Sequence, residues 1–141
     1  MSTPVRVDHV SISCVDLPDS VARYTAALAP LGLVPLIKLG DEEEDPAEVD
    51  IDAVGFGQPG DPAERAVLWL VVTADEPTAG LHIALRAAYP DAVESFHRCG
   101  VAAGFVSRQA PRRWEIFRPG YFGASLRDPA GNVIEVFTDQ A

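Results

Sequence analysis

The chain carries one motif twice, and the repeat limits its fold more than any single residue does. Asp8-His9-Val10-Ser11-Ile12 is matched by Leu81-His82-Ile83-Ala84-Leu85. Each run is followed by Pro-Asp-x-Val-x-x-aromatic, at Pro18 to Tyr24 and again at Pro90 to Phe96, one residue out of step with the histidines. Phe56-Gly57 and Phe122-Gly123 continue the match, as do Asp61-Pro62-Ala63 and Asp128-Pro129-Ala130. Self-similarity of this kind marks two copies of one supersecondary unit that bury a face against each other.

Hydrophobic periodicity sets the order within each copy. Residues 5–14 alternate as a strand, with His9, Ser11 and Ser13 on one face and Val10, Ile12 and Cys14 on the other. Residues 16–29 read as a helix with Pro18 in its first turn and Val21, Tyr24, Ala27 and Leu28 as its buried stripe. Strands are expected at 34–39, 53–57 and 67–72, the last apolar on both faces and therefore central. The second copy repeats the order: strand 81–87, helix 90–102 with Val93, Phe96 and Val101 inward, then strands 104–109, 122–127 and 133–137. Residues 111–120 read as a loop. The expected architecture is α+β, two tandem βαβββ modules. Module one spans 1–74, a linker 75–80, and module two 81–141.

Composition bounds the function. A sequence of 141 residues, 48% hydrophobic and 23% charged, is an ordinary globular one. Its net charge of -10 repels phosphate backbones, so nucleic acid is not an expected partner. Much of that charge lies at Asp41, Glu42, Glu43, Glu44, Asp45, Glu48, Asp50 and Asp52, which read as a solvated acidic loop, 41–52. Cys14 and Cys99 show no metal or redox spacing and read as reduced thiols. No run approaches the length of a membrane span and no signal segment opens the chain, so a cytoplasmic protein is expected.

Asp8-His9-Val10 with Asp16-Leu17, then Leu81-His82-Ile83, and finally Asp128-Pro129-Ala130-Gly131-Asn132-Val133-Ile134-Glu135 resemble the vicinal oxygen chelate superfamily. That group holds glyoxalase I, extradiol dioxygenases and bleomycin-resistance proteins. The resemblance covers essentially the whole chain. It implies an open, incompletely closed eight-stranded mixed barrel, with the first strands of the two modules side by side. It also implies that His9, His82 and Glu135 converge there as ligands of a divalent metal, with Glu135 also available as a catalytic base. Two imidazoles and one carboxylate hold one face of a metal and leave the other for substrate. Such N/O ligands suit iron, manganese, nickel, cobalt or zinc.

Several positions depart from particular relatives. Trp69 aligns with Glu135 in the repeat, where glyoxalase I enzymes usually place a fourth ligand, and indole cannot ligate a metal. Ser13 stands where glutathione-dependent glyoxalases often carry an arginine. Ser125 stands where extradiol dioxygenases carry a tyrosine, and Tyr121 lies nearby out of register. Trp69, Arg113, Trp114, Phe117 and Tyr121 are the candidate substrate-binding residues, most of them in the cation-aromatic cluster of the 111–120 loop and its flank. His97 reads as a helix-packing residue.

The expected function is a metal-dependent glyoxalase- or dioxygenase-like enzyme acting on a small substrate that chelates the metal through oxygen. The alternative is a metal-free protein that sequesters a small molecule in an aromatic cavity, as bleomycin-resistance members do. The resemblance implies a homodimer in either case.

Overall fold

The computed structural model describes residues 4–40, 51–61, 63 and 65–141. The expected acidic loop lies outside them except for Ile51 and Asp52, which open a strand instead. The elements run β1 (Val10–Cys14), α1 (Leu17–Leu28), β2 (Val34–Gly40), β3 (Ile51–Gly57), β4 (Ala66–Val72), β5 (His82–Arg86), α2 (Pro90–Ala102), β6 (Val106–Arg113), β7 (Phe122–Arg127) and β8 (Val133–Thr138). Each module is thus βαβββ. Asp16 caps α1 by accepting a hydrogen bond from the Asp19 N–H at 3.1 Å, which satisfies a donor the first turn leaves free. Strand β6 runs four residues beyond the expected end and takes Arg112 and Arg113 out of the loop.

Two four-stranded mixed sheets result, ordered β1-β4-β3-β2 and β5-β8-β7-β6. In each, the first strand lies parallel to the last and the other pairings are antiparallel. Register confirms most of the repeat. Val10 pairs with Leu68 as Ile83 pairs with Ile134, and Ser11 with Trp69 as Ala84 with Glu135. Trp69 therefore does occupy the place equivalent to Glu135, and His9 that of His82. The two Phe-Gly pairs are not equivalent, however. Phe56 pairs with Leu68 and Leu126 with Ile134, so Leu126 is the structural counterpart of Phe56. The β3–β4 connection is longer than the β7–β8 turn and shifts the sequence match off the structural one.

The sheets do not close on each other. β1 and β5 belong to separate sheets and do not pair, contrary to the side-by-side placement the resemblance implies. The modules meet instead through their helices. α1 covers one face of the first sheet, α2 one face of the second, and the helices pack together. Ile12, Leu28, Phe56, Leu68, Leu70, Val93, Phe96, Leu126, Ile134 and Val136 form one continuous core across both modules. Val101, expected inward on α2, is 45% exposed, and Gly100 takes the buried position. Among the described residues no helix is long and apolar enough to cross a membrane.

A buried polar network ties the modules together. The Asp128 carboxylate accepts hydrogen bonds from the Tyr24 hydroxyl of α1 at 2.6 Å, from the Asn132 amide side chain at 2.9 Å, and from the Ala130 and Asn132 backbone N–H groups. The Asn132 side chain donates to the Thr78 carbonyl and accepts from Leu81 N–H. Thr78 in turn pairs with Ser13 of β1 through both its backbone N–H and its hydroxyl. The 75–80 linker is therefore fastened to the edge of β1 and to the β7–β8 turn.

Candidate functional site

Packing of the helices on one face of each sheet leaves the other face open. On the second sheet that open face carries His82, Ala84 and Arg86 of β5 and Val133, Glu135 and Phe137 of β8, because alternate strand residues share a face. Ser125 lies directly opposite Glu135 on β7. A cavity of about 480 Å³ opens here, lined among others by His82, Arg108, Trp114, Phe117, Tyr121 and Glu135.

Glu135 lines it with both carboxylate oxygens engaged. Oε1 lies 3.0 Å from His82 Nε2, and Oε2 accepts the Tyr121 hydroxyl at 2.5 Å. Tyr121 thus reaches Glu135 although it is out of register with the tyrosine of dioxygenases. Its ring stacks on Phe137, with centroids 4.8 Å apart and planes within 10°. Phe117 lies against Tyr121 and Trp114 against Phe117, giving a continuous aromatic wall. Arg112 lies over the Trp114 ring at 3.7 Å. Arg86 and Arg118 flank Phe137, and both pair with Asp139, whose carboxyl is held below its usual range by the Gln140 side chain first and by these arginines.

The structure brings together five of the expected residues: His82, Trp114, Phe117, Tyr121 and Glu135. It leaves three elsewhere. Arg113 pairs with Glu115 at 3.5 Å and is not among the lining residues. Trp69 lies on the open face of the first sheet, its indole over the backbone of Gly55, where an added Cβ would come within 2.9 Å of the ring. His9 precedes β1, is exposed, and pairs with Asp8 at 2.8 Å. Among the described residues no group of three or more His, Cys, Asp or Glu side chains is placed to hold a metal ion. A catalytic divalent site takes three protein ligands, and the open face of one chain offers two, an imidazole and a carboxylate. Those donors are of the right chemistry, and the set is one short.

Arg108 and Gln109 line the cavity and are not evident from sequence, since residue 108 falls in an apparently regular strand. His97 is held by Ser107 at 2.7 Å, and burial lowers its pKa, in keeping with a packing role. Burial pushes the Cys14 thiol up, which leaves it a poor nucleophile.

Burial and a carboxylate partner each raise the pKa of two phenols, Tyr24 beside Asp128 and Tyr121 beside Glu135. The folded chain therefore keeps these protons at pH values where the unfolded chain has released them. Their stabilisation is complete below the ordinary tyrosine pKa of about 10 and falls as pH rises above it. Urea midpoints at pH 8 and pH 11 are expected to show this loss, and a smaller one in Tyr24→Phe. Equal losses in both proteins would refute the assignment to Tyr24.

No family profile matches the sequence, and no curated protein matches it. Solved structures do. The chain is similar to a glyoxalase/bleomycin resistance protein from Albidiferax ferrireducens T118, with a TM-score of 0.70 and 23% identity over 93% of this chain and 96% of that one. It is similar to a glyoxylase/bleomycin resistance protein/dioxygenase domain from Frankia sp. EAN1pec, with a TM-score of 0.66 and 18% identity over 96% and 98%. A lactoylglutathione lyase from Agrobacterium tumefaciens aligns with a TM-score of 0.58 and 21% identity over 97% and 96%. The fold is the fold of these glyoxalase-like structures.

Proposed function

We propose that this chain, folded as those proteins are, is a metal-dependent enzyme of the glyoxalase/dioxygenase type that binds a small oxygen-bearing substrate on the open face of its second sheet. The observation that carries the reading is the meeting of His82, Tyr121 and Glu135 within an aromatic cavity. His82 and Glu135 would supply two metal ligands. His9 of the partner subunit would supply the third if a symmetric pairing of two chains brought their open faces together, since β1 and β5 lie in separate sheets of one chain. A divalent metal held there would supply Lewis-acid chemistry toward substrate oxygens.

The chain's own residues set up the rest. The Tyr121 phenol keeps its proton well above neutral pH, so it remains a donor that orients Glu135. Glu135 is the group available to take a proton from substrate once it releases one contact. Trp114 and Phe117 line one side of the cavity and offer it apolar surface.

Elemental analysis of the purified and reconstituted protein is expected to find about one divalent ion per chain, as an open three-ligand catalytic set holds. Glu135→Gln is expected to lose it. A protein without metal before and after reconstitution would overturn the reading. The aromatic wall supports a second reading, a metal-free sequestering protein. Under it, a planar ligand would bind equally well in chelator and in His82→Ala.

A further inference from the structure

We propose that the cavity on the second sheet is shaped for a planar aromatic ring bearing a carboxylate, and that Arg108 is the residue that binds that carboxylate. The proposal rests on this face being the substrate site, and not on a metal.

Strand β6 is twice out of step with β7, between Ser107 and Gln109 and between Gln109 and Arg112. Ser107 pairs with Leu126, and its hydroxyl meets His97 of α2, so it faces the helix side. Gln109 pairs with Ser125, which lies opposite Glu135 on the open face. Arg108 is the extra residue between them. In a regular strand consecutive side chains point to opposite faces. Here Arg108 and Gln109 both line the cavity, because the bulge turns the chain at that point.

Among the described residues the guanidinium so placed has no acidic partner. Among the described residues Arg108 makes no ion pair, and its one side-chain contact is a long 3.4 Å bond to the Ser125 hydroxyl. Arg86, Arg113 and Arg118 are each matched to an acid. Both oxygens of Glu135 are already held by His82 and Tyr121. In a chain of net charge -10, an unmatched guanidinium in a cavity is a site for a ligand's anion. Its planar fork matches a carboxylate through two parallel hydrogen bonds. The wall of Trp114, Phe117 and Tyr121 offers flat apolar surface to a ring. The cavity, about 480 Å³, is of a size for one or two fused rings.

The test uses 2-naphthoate and 2-naphthamide, which share a ring system and differ in charge, titrated calorimetrically into the full chain in the presence of EDTA. The acid is expected to bind about 10- to 100-fold tighter than the amide, the range for a hydrogen bond to a charged group. Arg108→Gln should abolish that preference and Arg108→Lys retain part of it. Arg98→Gln, on the outer surface of α2, should leave it unchanged. Equal affinity for acid and amide, no binding of either, or a preference that survives Arg108→Gln overturns the assignment. Inorganic phosphate competing as well as the acid overturns the aromatic part of it. Metal content measured separately on Arg108→Gln, expected at the wild-type level, tells a failure of the metal site from a failure of this one.

Discussion

Co-expressing His9→Ala and His82→Ala chains under two affinity tags is expected to restore metal binding that neither variant has alone. In a homodimer of either variant, every site lacks one imidazole. In the tandem-purified heterodimer, the His82→Ala chain still offers its His9, and the His9→Ala chain still offers His82 and Glu135. One of the two symmetric sites is then complete, and the expected metal content is about half that of wild type. Each single variant, missing one of three ligands, is expected to fall at least about 10- to 100-fold in affinity, the loss seen even for outer partners of a ligand. The physical basis is the sheet order. His9 and His82 hold equivalent register positions in two sheets that do not pair within the chain. A heterodimer as empty as its parents would show that no site is shared between chains. Wild-type metal content in His9→Ala would remove His9 from the ligand set.

Asn132→Ala is expected to cost more stability than any change on the open faces. Asn132 is fully buried, and its side chain bonds to Asp128, to the Thr78 carbonyl and to Leu81 N–H. Alanine leaves the part-buried Thr78 carbonyl and Leu81 N–H, and the buried Asp128 carboxylate, each short of one partner. A buried group left unsatisfied costs about 1–3 kcal/mol. Asp128 keeps its other donors, so the two remaining groups set the cost at about 2–6 kcal/mol, a large share of the roughly 5–15 kcal/mol that holds a domain folded. The urea midpoint should fall accordingly, with its slope unchanged. A loss under about 0.5 kcal/mol, the range of ordinary surface substitutions, would mean the network does not fasten the modules. Tyr24→Phe removes one bond of the same network and should cost about 1–3 kcal/mol.

The Asp128 to Asn132 string shows how a motif can be legible while its task is not. In sequence it is a turn and part of a family resemblance. In the folded chain its acid and amide lie buried between modules and its backbone turn leads into the strand that carries Glu135. The contact with Tyr24, more than a hundred residues away, is what gives Asp128 that role. Trp69 is the converse case. The repeat alone aligned it with Glu135, and the register agrees. Its distance from the second-sheet cavity follows from the packing of the modules, on which the repeat is silent.

Local pattern determined what each segment became. Alternation and helical spacing are properties of neighbouring residues, so all eight strands and both helices were readable to within a few positions, and the duplication fixed their order. Which faces ended up covered is a different matter, because it depends on which apolar surfaces find each other at long range. The helices took the inner faces, the face bearing His82 and Glu135 was left open, and a one-residue bulge in β6 brought Arg108 into the cavity lining. None of that has a local signature, since a bulge and a module interface are settled by partners far along the chain.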